Sequence, residues 1–257
     1  DIGRLNSSKT LIQSVDGFPS LISDPWLNGR LLAFHSCSDI WACGGSVISA
    51  QSVVNLPSVP IELQKELLFQ VLKGIDSSLT IQGAKLLGGH TLESRKTSEE
   101  PYSLGIESSL TVNGVVNDKK YFWSKGGMQK GDKILISRSL GTGIVFSAFM
   151  NGKVKPYILD AVLKEMNKSQ HYIVDSINNL ININPNSKII NACTDITGFG
   201  LLGHLSEMLE ATNNYQLKMK LEPLKIILDL DHIPLYEGVK ELVDKGFEST
   251  LAPANKI

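Results

Sequence analysis

Three aspartates and one glycine-rich turn carry the residue types that could do chemistry. The apolar spacing around Asp39 predicts a helix over 30–43 closed by Gly44-Gly45, with Asp39 in its last turn. Unsatisfied carbonyls gather there, and a carboxylate is disfavoured by a few tenths to about 1 kcal/mol. A bound cation would offset that; so would solvent, or a local hydrogen bond to Ser36 or Ser38. Asp195 follows an apolar run predicted as a strand over 187–193 and precedes Gly198 and Gly200. A carboxylate at the carboxyl end of a sheet, beside bare glycine backbone, suits a ligand in the crevice. Mg²⁺ is the natural occupant, because it takes one or two carboxylates and completes its octahedron with water and substrate phosphates. A helix N-cap or turn aspartate is the competing reading. Asp16, at the end of a strand predicted over 10–16 and followed by Gly17, carries the same two readings.

Gly88-Gly89-His90-Thr91 could offer successive backbone amides, an imidazole and a hydroxyl to phosphate oxygens. It could equally be a plain turn. Gly141-Thr142-Gly143 has the same status, and neither stretch contains the lysine of a P-loop. His35, His171 and His232 have no ligand companions at helical spacing and read as surface or satisfied core residues. Cys37, Cys43 and Cys193 fit neither a zinc ribbon nor a disulfide framework and read as reduced packing residues. Gly-x-Ser-x-Gly, His-Glu-x-x-His and Cys-x-x-Cys are absent, which removes serine hydrolases, zincins and thioredoxin-like oxidoreductases.

The elements that must position these residues follow from periodicity. Besides those named, strands are predicted over 47–55, 82–87 and 103–116, and a helix over 63–79. A polar stretch over 93–100 separates the last two strands. The glycine-rich segment 125–132 marks a boundary, giving domains 1–125 and 126–257. The second domain should open with a buried strand over 133–137 and turn at Gly141 into a helix. A long helix around 159–180 should follow, then the 187–193 strand, the 197–200 loop and an amphipathic helix. A strand over 216–221 and a helix over 237–245 should close it. The expected class is α/β in two units.

Composition limits the partners. The 257 residues are 42% apolar and 20% charged, with 25 basic against 26 acidic side chains, as expected of a folded enzyme or binding protein. No basic run would track nucleic acid or an anionic membrane surface, and no apolar stretch approaches the roughly 20 residues of a membrane span. Neither nucleic acid nor membrane is an expected partner, and the start at Asp1-Ile2-Gly3-Arg4 lacks a secretion signal, so the cytoplasm is the expected compartment.

Taken in order, Ser14-Val15-Asp16-Gly17-Phe18, Ser23-Asp24-Pro25 through Gly29-Arg30, Ser38-Asp39-Ile40-Trp41-Ala42-Cys43-Gly44-Gly45, Gly88-Gly89-His90-Thr91 and Thr194-Asp195-Ile196-Thr197-Gly198-Phe199-Gly200-Leu201-Leu202-Gly203-His204 resemble the selenophosphate synthetase (selenide, water dikinase) family. Ser249-Thr250-Leu251 with Pro253 and Asn255 is similar to a later family segment. The resemblance implies an ATP-dependent enzyme that converts selenide, ATP and water into selenophosphate, AMP and phosphate. It implies that Asp39 and Asp195 bind Mg²⁺, that Asp16 and Asp39 face ATP, and that Gly89, His90 and Thr91 contact its phosphates from the neighbouring subunit. It also implies the two-domain fold (an α+β sandwich) of aminoimidazole ribonucleotide synthetase, the N-terminal domain forming a β-barrel across a homodimer.

The family's catalytic cysteine or selenocysteine and its lysine are expected upstream of Asp1, so no catalytic residue is assigned within these residues and the chain alone is expected not to turn over. A late Asp-Pro-x-Thr-Ser-Gly-Gly segment is likewise absent, and Asp1 is not assigned. The alternative is a non-catalytic Mg²⁺–nucleotide-binding homologue, or a domain fused to a flavin-dependent oxidoreductase.

Overall fold

Asp24 opens the first helix: its carboxylate accepts the Leu27 amide at 2.9 Å, and Pro25 stands at the first helical position, where its missing N–H costs nothing. In the computed structural model, which describes residues 3–5, 9–94, 105–185 and 188–255, the elements run β1 (Gly3–Leu5), β2 (Lys9–Pro19), α1 (Pro25–Ala42), β3 (Ser46–Leu56), α2 (Ile61–Thr80), β4 (Lys85–Glu93), β5 (Glu107–Val116), α3 (Thr142–Met150), α4 (Pro156–Met166), α5 (His171–Ile183), α6 (Gly200–Lys218) and α7 (Val239–Asp244). The expected start of the fifth strand at Ser103, most of the polar stretch after Glu93, Ser187 and Asp1 lie outside the described residues.

Two units are formed, Asp1–Phe122 with Asn167–Ile189 and Trp123–Met166 with Ile190–Ile257. The first holds a five-stranded mixed sheet in the order β1-β2-β5-β3-β4, in which only the β3–β4 pair is parallel. Side chains alternate across it. Ile12, Leu110, Val112, Val116, Val47, Ala50, Val54 and Leu56 are buried on the face that carries α1 and α2. The opposite face has no such cover among the described residues: Val15 is 67% exposed and Val53 40%. A polar ladder crosses that open face, with the Gln13 amide donating to Asn113 at 2.7 Å and the Asn113 amide donating to Ser49 at 3.2 Å.

Helices α1 and α2 cross almost in backbone contact. A Cβ on Gly29 would lie 2.2 Å from the Val71 carbonyl oxygen, and one on Gly74 would lie 2.0 Å from that of Trp26. Each glycine admits the other helix's backbone. Arg30 reinforces the junction, lying over the Trp26 and Phe34 rings and donating to Ser77 at 2.8 Å and to the Asn167 side chain at 2.5 Å.

In the second unit α3 packs on α4 and α7 around Val145, Phe146, Ile158, Val162, Val239 and Leu242. Three expected strands are not formed. Residues 133–137 and 188–193 carry neither helix nor strand, and Leu135 is 90% exposed. A β pattern needs a partner to hydrogen-bond, and among the described residues of this unit the ladder is limited to a single bridge between Leu140 and Leu235. The 216–221 run instead continues α6, which stops where Lys220 turns to φ 58° and the Leu221 amide reaches back to the Gln216 carbonyl. The long helix expected at 159–180 is two helices, α4 and α5, broken around Ser169, whose hydroxyl takes the His171 amide at 3.4 Å.

Gly74→Ala gains roughly 1 kcal/mol of helix propensity but forces a methyl into a carbonyl. Net destabilisation of about 1–3 kcal/mol is expected, read as a lower denaturant midpoint of the whole chain with an unchanged slope.

Candidate functional site

Alternate residues of β2 and residues four apart on α1 meet along one strip. Ser14 donates to the Asp39 carboxylate at 2.5 Å, and His35 Nε2 lies 3.7 Å from the Asp16 carboxylate. The Phe18 ring meets His35 edge-on, with centroids 5.4 Å apart. Asp39 occupies the last turn of α1, as expected, and its backbone carbonyl takes the Cys43 amide. Ser38 donates to the His35 carbonyl, the buried Ser36 hydroxyl has no hydrogen-bond partner among the described residues, and the hydroxyl brought to Asp39 is that of Ser14 from the neighbouring strand.

Asp16 is also repositioned. It lies in the middle of β2, paired with Leu110 of β5, rather than at a strand end. The strand continues because Gly17 lets Ser109 approach closely. Both acids are half-buried, their oxygens between sheet and helix.

Gly88-Gly89-His90-Thr91 is neither a nest nor a turn. All four residues lie in the exposed edge strand β4, just after a register shift opposite Ala50/Gln51, with Gly88 at φ 149°. Gly89 is required by the sheet itself, since a Cβ there would sit 2.0 Å from the Ser52 carbonyl oxygen. His90 pairs with Val53, a residue of the open face, while Asp16 pairs with Leu110 on the helix-covered face. Within one chain the strip of acids and the His90 side chain therefore face opposite sides of the sheet.

In the second unit Asp195 is half-buried in the irregular segment before α6, and not at the end of a strand. The segment is anchored by the Cys193 amide on the Ser124 carbonyl at 2.9 Å and by the Asn191 side chain on Asp132 at 2.8 Å. Beyond Asp195 the loop folds onto the first turns of α6. The Thr197 amide donates to His204 Nε2 at 3.1 Å, the Asn255 side chain donates to the Gly198 carbonyl at 2.9 Å, and Phe199 occupies the space left by the missing side chain of Gly203. Sequence reasoning gave no role to Ser14 or His204 and read His35 as a surface or satisfied core residue. The signal was there for Ser14 and His35, since the spacings 14/16 and 35/39 place each pair on one face; which strand would meet which helix was not readable.

The donors on the strip, carboxylates and a hydroxyl, are hard oxygen ligands that suit Mg²⁺. Among the described residues no group of three or more His, Cys, Asp or Glu is arranged to hold a metal. The set thus fits an ion completed by phosphate and water better than one caged by protein. Cys37 is a poor nucleophile: it is fully buried, and burial pushes its thiol up to about 12.

Residues 2–116 match the N-terminal domain of the AIR synthase related proteins and residues 129–238 their C-terminal domain. The chain belongs to the AIR synthase related family, whose two-domain α+β fold it has. It is 32% identical to the selenide, water dikinase of Clostridioides difficile strain 630 over 95% of its own length. It spans 61% of the length of that relative. Two solved structures share the fold. Thiamine monophosphate kinase from Aquifex aeolicus superposes with a TM-score of 0.69 at 17% identity, covering 95% of this chain and 75% of that one. Hydrogenase maturation protein HypE in complex with ATP gives 0.64 at 14% identity, covering 97% and 67%. No described helix is long and apolar enough to cross a membrane.

Burial and the raised pKa leave Cys37 almost wholly protonated at pH 8. Alkylation by iodoacetamide at that pH should spare Cys37 in the native chain and reach it in denaturant, as peptide mass mapping would record.

Proposed function

We propose that this chain is the core of a selenide, water dikinase, which converts selenide, ATP and water into selenophosphate, AMP and phosphate. The observation that carries the reading is the likeness to selenide, water dikinases along 95% of the chain. The strip of Ser14, Asp16, His35 and Asp39 supports it from the geometry. Transfer of phosphoryl groups depends mainly on positioning and on neutralising developing charge, and half-buried hard donors suit both.

In this reading Asp39 and Asp195 hold Mg²⁺, and Asp16 and Asp39 face ATP. The ion, when bound, would neutralise phosphate charge. Asp39 is held ready for that by the Ser14 hydroxyl, which fixes its rotamer and offsets its place among the carbonyls of a helix end. Gly89, His90 and Thr91 reach the phosphates of a nucleotide bound by the neighbouring subunit. The register bears on His90 alone: in one chain its side chain and the acids lie on opposite faces of the sheet, whereas Thr91 pairs with Val54 on the covered face, so it is His90 that would serve another chain's nucleotide more readily than its own. The open face with Val15 and Val53 is the surface on which two N-terminal domains would close a β-barrel. ATP and selenide are the small-molecule partners, and the cytoplasm is the compartment.

Two experiments test the reading. Full-length protein should release AMP from ATP only when selenide is present under reducing conditions; no AMP would leave a nucleotide-binding homologue without catalysis. In calorimetry with Mg²⁺ and β,γ-methylene ATP, Asp39→Asn and Asp195→Asn should each weaken binding about tenfold or more, a loss of at least ~1.4 kcal/mol. Parent-like binding in both variants removes the metal assignment. For the dimer, Val15→Lys should shift the chain from dimer to monomer in sedimentation velocity, since a lysine on a buried apolar face is left without a partner.

A further inference from the structure

His204 is 5% exposed, yet it belongs to a loop-to-helix junction whose other apolar members, Phe199 and Leu202, are well exposed. Its Nε2 accepts the Thr197 amide at 3.1 Å, with the Thr197 hydroxyl 3.2 Å from the same nitrogen. An imidazole nitrogen that accepts an amide proton carries a lone pair, so the ring is neutral with its proton on Nδ1. Nδ1 is buried and makes no hydrogen bond among the described residues, but the Glu207 carboxylate stands 3.6 Å away. Glu207 is kept ionised by Lys125, which donates to it at 2.7 Å and holds its carboxyl below the usual range. A fixed anion on the Nδ1 side favours the proton there, which leaves Nε2 free to accept.

We propose that His204 is a positioning residue for Asp195: its Nε2 holds the Thr197 amide, and through it fixes the backbone two residues beyond the carboxylate. The proposal rests on the reading of Asp195 as a ligand of the Mg²⁺–nucleotide. Thr197 is one of three places where the loop is tied down, the others being the Gly198 carbonyl on Asn255 and Phe199 in the space over Gly203. Of the three, it is the one nearest Asp195 in the chain, and it depends on a single side-chain acceptor. Asn255 and Gly203 restrain the far side of the loop, so the fold of α6 should survive loss of the imidazole while the Asp195 side of the loop gains freedom.

The test uses the 257-residue chain, amide hydrogen exchange resolved at Thr197, ¹⁵N-histidine NMR, and calorimetry with Mg²⁺ and β,γ-methylene ATP. His204→Leu should speed exchange of the Thr197 amide about tenfold and weaken nucleotide binding about tenfold, the worth of one buried hydrogen bond. His204→Gln, whose side-chain oxygen can stand where Nε2 stood, should restore both. Asp195→Asn should lose binding with Thr197 exchange unchanged. Unchanged exchange in His204→Leu, or faster exchange with parent-like binding, overturns the proposal. So does a parent spectrum with the proton on Nε2, a result that needs no variant to fold. Parent-like binding by Asp195→Asn instead overturns the reading of Asp195, while the exchange arm still decides whether His204 holds the loop.

Discussion

The first unit depends on how closely α1 can approach its neighbours. Gly29 and Gly74 remove the side chains that would hold α1 and α2 apart, so each helix presses on the other's carbonyls. With its other side packed on β2 and β5, α1 has almost no freedom to roll. Its polar residues His35 and Asp39 then have one place to go, onto Ser14 and Asp16 of β2. A half-buried carboxylate is costly without a donor. The Ser14 hydroxyl supplies one, and the strip is wide enough for His35 to stand beside Asp16 instead of packing into the core. A polar seam in an otherwise apolar layer is thus imposed by the geometry of the crossing.

The second unit solves a related problem with fewer ordered parts. Its acid sits in a segment that has no strand to support it, so the loop must be held by side chains. Thr197 is taken by His204, Gly198 by Asn255, and Phe199 rests where Gly203 has no side chain. Helix α6 provides two of these three restraints from its first turns, which is why the apolar positions behind the loop matter: Leu205 and Met208 are buried and fix the helix that in turn fixes the loop. In both units an acidic residue is placed by a helix, and a glycine allows a close approach that defines the geometry.

Periodicity made α1 from Arg30 onward, β3, α2 and the start of α6 legible, because each has a strong apolar repeat and most have a punctuating residue such as Gly44 or Gly200, but it missed the opening of α1 over Pro25–Gly29. It misplaced Asp16, because a glycine after an acid looks like a strand end when it is in fact a close crossing within a strand. It predicted strands over 133–137 and 188–193 from β-like composition, but composition does not supply the partner that a ladder requires. The helical continuation through 216–218 was hidden by Leu217, Met219 and Leu221, whose alternation mimics a strand. The pairing of Asp16 with His35, separated by 19 positions in the chain, belongs to the packing of β2 on α1, and no local pattern announces it.

The glycine-rich strand shows how far sheet geometry constrains the chemistry. Side chains alternate with period two, and the register ties Val53 to His90 and Leu110 to Asp16. Moving His90 to the covered face would need a one-residue slip of β4, and the slip that sets His90 itself against Ser52 would put a Cβ where Gly89 stands. That position admits no Cβ, so a slip in that direction is barred by the same glycine that looks, in the sequence, like part of a phosphate turn. In this register the imidazole lies on the open face and the acids on the covered one. A nucleotide bound at the acids of one chain is therefore separated by the sheet from the same chain's His90 side chain.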